Sequence, residues 1–186
     1  MTPASIVLMG LKHSGKSSLG SAVAEALSRP FFDLDDLVLD GARERGFSSI
    51  RLLYGSLGLE KFQDLEYAAL EELFHRRVAE SSLGFILSLG GGTGENHRVM
   101  HSLSEHGAVR LYLRVAEETL WRRISAGGIP PFLEGDRPPE ELFHKLYLRR
   151  DQLYGSCADF IIEMTDRPPE ENSRILLDEV RTILRG

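Results

Sequence analysis

The sequence predicts an α/β three-layer sandwich on a parallel sheet, and three observations predict it. The chain has 186 residues, close to one domain at roughly 150 residues each. Five short apolar runs alternate with helical patterns, and strand-then-helix alternation means parallel strands joined by crossovers. The runs are nearly continuous, as strands covered on both faces require. In order they are Ile6-Val7-Leu8-Met9, Phe31-Phe32, Phe85 to Leu89, Val109 to Leu113 and Phe160-Ile161-Ile162, each read as a buried strand. Helical spacing appears in Val23 and Leu27, in Phe62, Leu65, Ala69 and Leu73, and in Leu176, Val180, Ile183 and Leu184. No fixed-period repeat or low-complexity tract interrupts this order, so one domain over residues 1–186 is expected.

Composition narrows the partners. Apolar residues are 42% and charged residues 27%, the balance of an ordinary globular protein. The net charge is −6, which lacks the basic footprint of a nucleic-acid binder. Cys157 is the only cysteine, so no internal disulfide is expected. The start, Met1-Thr2-Pro3-Ala4-Ser5, has no charged region of a signal peptide, and no apolar run approaches the roughly 20 residues that span a bilayer. A cytoplasmic monomer without membrane contact is therefore expected.

Directly after the first run stands Gly10-Leu11-Lys12-His13-Ser14-Gly15-Lys16-Ser17, the G-x-x-x-x-G-K-[ST] spacing between a strand and a helix. Glycines let backbone N–H groups turn inward, and the helix N-terminus adds positive charge where phosphates lie. Lys16 is expected at the β- and γ-phosphates, and the Ser17 hydroxyl at Mg²⁺. Gly10, Lys12, Ser14, Gly15, Lys16, Ser17 and Ser18 thus form a candidate site for a nucleoside triphosphate. His13 is bulky for a position where such loops often have glycine.

Guanine-specific switch proteins carry an Asn-Lys-x-Asp stretch, and this chain has none. Phe32-Asp33-Leu34-Asp35-Asp36 ends the second strand; if the chain stays extended, Asp33 and Asp35 share a face. One acid could then organise Mg²⁺ and the other take a proton from an attacking hydroxyl. The plainer alternative is an Asp capping the helix around Leu37-Val38. Further on, Gly127-Gly128-Ile129-Pro130-Pro131 and Gly135-Asp136-Arg137-Pro138-Pro139 read either as a flap over a ligand, at about 127–139, or as an ordinary connection.

With these motifs the chain resembles the shikimate kinases, small kinases of the nucleoside monophosphate kinase type. The resemblance also runs through Gly58 to Glu66, Leu89-Gly90-Gly91-Gly92, Pro131-Phe132-Leu133 and Arg150-Asp151-Gln152-Leu153-Tyr154. It implies a five-stranded parallel sheet with a lid, and transfer of the γ-phosphoryl group of ATP to a hydroxyl of a small cyclic acid. By position it puts Asp33 at Mg²⁺, Asp35 at the acceptor hydroxyl as base, and Gly90, Gly91 and Gly92 against the acceptor. Arg150 would hold the acceptor, with Lys16 and Asp35 as its catalytic companions, and Arg123 would lie along the adenine.

Two family arginines are missing: Gln63 stands in the substrate-binding position before Leu65-Glu66, and Pro130 stands in the lid. Glutamine offers a neutral donor where arginine would give a planar, charge-assisted pair. Arg137 and Arg51 are candidate replacements. Shikimate is the first acceptor to expect; a less anionic polyol or cyclitol, or a non-catalytic nucleotide-binding regulator, remain the alternatives. His97 and His101 are four apart but lack a third ligand, so zinc is not expected. Cys157 is read as a small core residue, and the charge run Glu66 to Arg77 as an exposed helix face.

Overall fold

The computed structural model describes residues 4–43, 46–79, 84–130 and 133–185. In chain order the elements are β1 (Ile6–Met9), α1 (Lys16–Ala26), β2 (Phe31–Asp33), α2 (Leu34–Ala42), α3 (Ile50–Ala79), β3 (Ile86–Ser88), α4 (His97–Glu105), β4 (Val109–Val115), α5 (Glu117–Ala126), α6 (Pro139–Cys157), β5 (Phe160–Met164) and α7 (Pro169–Ile183). The sheet has five strands in the order β2-β3-β1-β4-β5, and every pairing is parallel. β1 lies in the middle because Ile6, Val7, Leu8 and Met9 are all buried and can accept covering layers on both faces. The expected fold class stands.

Two features differ from the expectation of uniformly buried strands. β5 is an edge strand whose Phe160 and Ile161 are 45% and 42% exposed, and all three residues of β2, the other edge, are half-buried. β4 carries Arg110 and Arg114 inside its apolar run; their guanidinium groups leave the core by pairing with Asp159 and with Asp151 and Glu163.

Two helices without a counterpart in the expected pattern shape the site. α5 starts on Glu117 and Glu118 and α6 on Pro139, Glu140 and Glu141, acids that complement a helix N-terminus. α6 buries Phe143 and Tyr154, which sets Arg150 on the face toward the sheet's C-terminal edge. The 127–139 segment joins α5 to α6; Pro131 and Phe132 lie outside the described residues, Leu133 is buried, and 134–138 is exposed. No described helix is long and apolar enough to cross a membrane.

Candidate active site

The phosphate loop follows the C-terminal end of β1, where parallel strands place ligands. Its turn needs left-handed backbone at Gly15, with φ 93°, and at His13, with φ 67°. His13 holds that conformation despite a side chain that disfavours it, and its carbonyl accepts a hydrogen bond from Arg123 at 3.1 Å. Its imidazole is pushed below the usual histidine range by burial, then by Lys12, Lys16 and Arg123. Ser14 is buried, and Ser18 Oγ donates to the Gly15 carbonyl at 3.1 Å.

Lys16 opens α1 and is buried, with Nζ donating to the Leu11 carbonyl at 2.9 Å and lying 3.5 Å from Ser14 Oγ. Burial lowers its pKa to about 8; Asp35 and Asp33 oppose that shift, and Arg150 adds to it. Ser17 Oγ donates to Asp33 Oδ2 at 2.6 Å and sits 3.4 Å from Ser88 Oγ. Three hard oxygen donors thus meet at the ends of β2 and β3, where Asp33 and Ser88 are register partners.

The extended stretch expected over Asp33 to Asp35 does not occur. The strand ends at Asp33 and α2 begins at Leu34, because Asp33 is itself the cap: its Oδ1 accepts from the Asp35 amide at 3.0 Å. Capping and site chemistry therefore coincide, since the other oxygen of Asp33 takes the Ser17 hydroxyl. Asp35, in the first turn, reaches the same place by a helical route.

The half-buried Asp35 carboxylate receives no hydrogen bond among the described residues. Burial raises its pKa to about 6, Asp33 adds to the rise, and Lys16 and Lys12 oppose it. A Cβ at Gly90 would lie 2.7 Å from Asp35 Oδ1 and 2.8 Å from Thr93 Oγ1, so a side chain there would displace both groups.

Behind the Gly90-Gly91-Gly92 loop lies a network that the sequence reading missed. Glu66 is 3% exposed, which corrects the expectation of a solvated face from Glu66 to Arg77; the side chain of Arg77 is outside the described residues. Its carboxylate accepts from Thr93 Oγ1 at 2.5 Å and Asn96 Nδ2 at 3.0 Å, and Asn96 Nδ2 also donates to the Gln63 carbonyl at 2.8 Å. Burial pushes the Glu66 carboxyl up while those two donors pull it down.

On the opposite side Tyr154 donates to the Gly91 carbonyl at 2.6 Å, and Arg150 lies against Gly92 with Nε 3.2 Å from Glu95 Oε1. Tyr154 follows Arg150 by one helical turn, and Thr93 and Asn96 follow directly on the glycines; helical periodicity and adjacency were the available signals.

The structure thus gathers Lys16, Ser17, Asp33, Asp35, Gly90, Gly91, Gly92 and Arg150 around one cleft. Gln63 contributes its carbonyl to the network one turn before Glu66. Arg123 stays at the loop's rim, 3.6 Å from Asp166. Arg137 is exposed and 4.0 Å from Glu141, and Arg51 is exposed on α3, so no contact ties either to the cleft. His97 and His101 are exposed, and no metal-holding cluster of His, Cys, Asp or Glu occurs among the described residues.

A phosphate loop opening α1, paired acids at the sheet's C-terminal edge and a glycine loop facing them define a phosphate-loop phosphotransferase. The family model for shikimate kinase matches residues 12–181. The chain is 36% identical over 166 residues to the shikimate kinase of Burkholderia thailandensis, covering 88% of this chain and 82% of that one. It is 31% identical to that of Chlamydia pneumoniae over 97% of this chain and 99% of the other. Among solved structures, shikimate kinase from Acinetobacter baumannii in complex with shikimate superposes with a TM-score of 0.79 at 25% identity, covering 97% and 94% of the two chains. The chain belongs to the shikimate kinase family.

Proposed function

We propose that this protein transfers the γ-phosphoryl group of ATP to a hydroxyl of shikimate. The observation that carries the reading is Asp35: a half-buried carboxylate without a hydrogen-bond donor among the described residues, its pKa raised to about 6, close to Lys16 and to the Gly90 backbone. A group with that affinity for a proton is suited to receive one near neutral pH. In the step, the bond from phosphorus to the ADP oxygen breaks and a bond to the acceptor oxygen forms. The acceptor's hydroxyl proton passes to Asp35. Lys16 leaves its Leu11 and Ser14 partners to hold the β- and γ-phosphates, and the loop's amides line the same groups. Arg150 and the Gly90 to Gly92 backbone orient the acceptor, while Arg123 covers the base.

Ser17, Asp33 and Ser88 offer few, hard oxygens, the donor set that suits Mg²⁺ with phosphates and water completing its shell. Bound there, Mg²⁺ would neutralise charge on the phosphate oxygens.

A second reading keeps the chemistry and takes a less anionic polyol or cyclitol. It is favoured by Gln63 and by Glu95, which already engages Arg150. The test is ADP release from Mg²⁺-ATP, with and without shikimate and then across polyols and cyclic acids. Stimulation by shikimate is expected; response to another hydroxyl compound alone reassigns the acceptor, and silence with all of them overturns the kinase reading.

A further inference from the structure

The cations around the cleft are not equally engaged. Lys16 is bonded to Leu11 and Ser14, Arg150 to Glu95, and Arg123 to His13 and Asp166. Lys12 differs: among the described residues its ammonium has no hydrogen bond and no ion pair, and the side chain is exposed. Its backbone position is nonetheless tightly fixed. A Cβ at Gly91 would stand 3.0 Å from the Lys12 amide nitrogen and 3.3 Å from its Cα, so the phosphate loop and the acceptor loop touch at this residue. Lys12 also lies close enough to Asp35 for its charge to act on that carboxylate, as that of Lys16 does. Lys12 therefore stands on the seam between the two halves of the site, where the phosphoryl group must cross.

We propose that Lys12 is a catalytic residue whose ammonium donates to a non-bridging oxygen of the phosphoryl group in transit from ATP to the acceptor. This deepens the kinase reading above and rests on it. The need is physical: charge spreads over the peripheral oxygens in the transition state, and a cation placed there acts on the barrier more than on binding. Pro130 supplies no charge from the lid, and Arg137 is tied near Glu141. A lysine is suited to the role because its flexible stem carries a compact point charge. Lys12 forms no covalent bond; the phosphorus exchanges one oxygen for another, and the proton goes to Asp35 as before.

The test uses the whole protein and the variants Lys12→Met and Lys12→Arg. Lys12→Met is expected to lower kcat about 100-fold, with KM for ATP and for shikimate within about threefold of the parent. Lys12→Arg is expected to recover at least a third of the lost rate. Binding of ADP with Mg²⁺ and aluminium fluoride, which mimics the phosphoryl group in transit, should weaken in Lys12→Met while ADP binding alone stays unchanged.

A kcat within threefold of the parent overturns the proposal. So does a rise in shikimate KM that disappears with shikimate methyl ester, because Lys12 would then hold the acceptor's carboxylate. A parent protein silent with shikimate overturns the acceptor assignment instead. The fluoroaluminate complex, assembled without acceptor, still reads Lys12 in that case, and equal affinity in parent and variant overturns the role.

Discussion

On the proposed nucleotide side, one unbroken segment, Gly10 to Ser17, supplies amides, lysine and hydroxyl, and Asp33, Ser88 and Arg123 come from elsewhere. On the acceptor side, Asp35 comes from α2, Gln63 and Glu66 from α3, the glycines from the loop after β3, and Arg150 and Tyr154 from α6. Recognition of a constant phosphate group through backbone, as proposed for this side, tolerates little change in spacing. The acceptor side is assembled from side chains on separate elements, so a single substitution alters it without disturbing the sheet. The contrast fits what the resemblance implies, that the G-x-x-x-x-G-K-[ST] spacing is kept while Gln63 and Pro130 stand at positions expected to be arginine.

The sharpest way to break this contrast is Asp35→Asn. In the role proposed for it, as proton acceptor, Asp35 is expected to contribute about 10²- to 10⁴-fold to kcat, and its loss should leave KM for ATP nearly unchanged. Stability should move the other way. The folded-state pKa, about 6, lies above the unfolded value, so the stability linked to this group is fully present below the unfolded pKa and is lost as pH rises through about 6. At pH 7 the charged carboxylate therefore opposes folding, by on the order of 2 kcal/mol. The asparagine variant is expected to melt about 4–8 °C higher at pH 7 and to show no gain at pH 4. A lower melting temperature at pH 7 would mean that the carboxylate is satisfied in the fold and is not held ready for a proton.

Glu66→Ala tests whether the acceptor loop depends on its hidden support. Removing the carboxylate leaves the buried Thr93 hydroxyl without its acceptor and Asn96 with the Gln63 carbonyl alone, a cost of about 1–3 kcal/mol. KM for the acceptor should rise about tenfold while KM for ATP stays constant, because the Gly90 to Gly92 loop loses its anchor and the phosphate loop does not. Equal rises in both constants would show that the two sides are not separable.

The pH profile separates the sides again. Below about pH 6, kcat/KM for the acceptor should fall tenfold per unit as Asp35 takes up a proton. Above about pH 8, kcat/KM for ATP should fall as free Lys16 loses its proton, whereas kcat should hold, because bound phosphates keep that proton in place. An acid limb in kcat/KM that survives in Asp35→Asn would assign it to another group.

The same contrast governed what could be read in advance. Contiguous chemistry was legible: the loop's spacing named Lys16 and Ser17, and the five apolar runs gave all five strands to within two residues at their ends. Chemistry assembled across elements was not. Glu66 looks like a member of a solvated charge run because the donors that satisfy its buried carboxylate, Thr93 and Asn96, come from beyond β3 in the chain. Tyr154 and Arg150 depend on α6, whose helix is marked by Pro139 and the acids after it but whose contact with Gly91 is a matter of packing. Asp33 and Asp35 come together by the plainer of the two routes the sequence offered, a helix cap with Asp35 in the first turn, and not by alternation along a strand.

The smallest expected effect bears on the departure itself. Gln63 is half-buried on α3, one turn before Glu66, and its carbonyl is held by Asn96, so its backbone is fixed relative to the acceptor loop. Gln63→Arg would add a planar, charged donor near the acceptor. The gain is limited, because the new cation must be partly desolvated and because Arg98 and Arg150 already occupy this region, paired with Asp64 and Glu95. About 1 kcal/mol remains, which lowers KM for shikimate by about fivefold. The methyl ester of shikimate should show no such gain, and kcat should not move, since ground state and transition state carry the same carboxylate. A gain shared by acid and ester would mean that position 63 contacts the ring hydroxyls. In that case the glutamine is matched to a different part of the acceptor, and the less anionic substrate becomes the better reading.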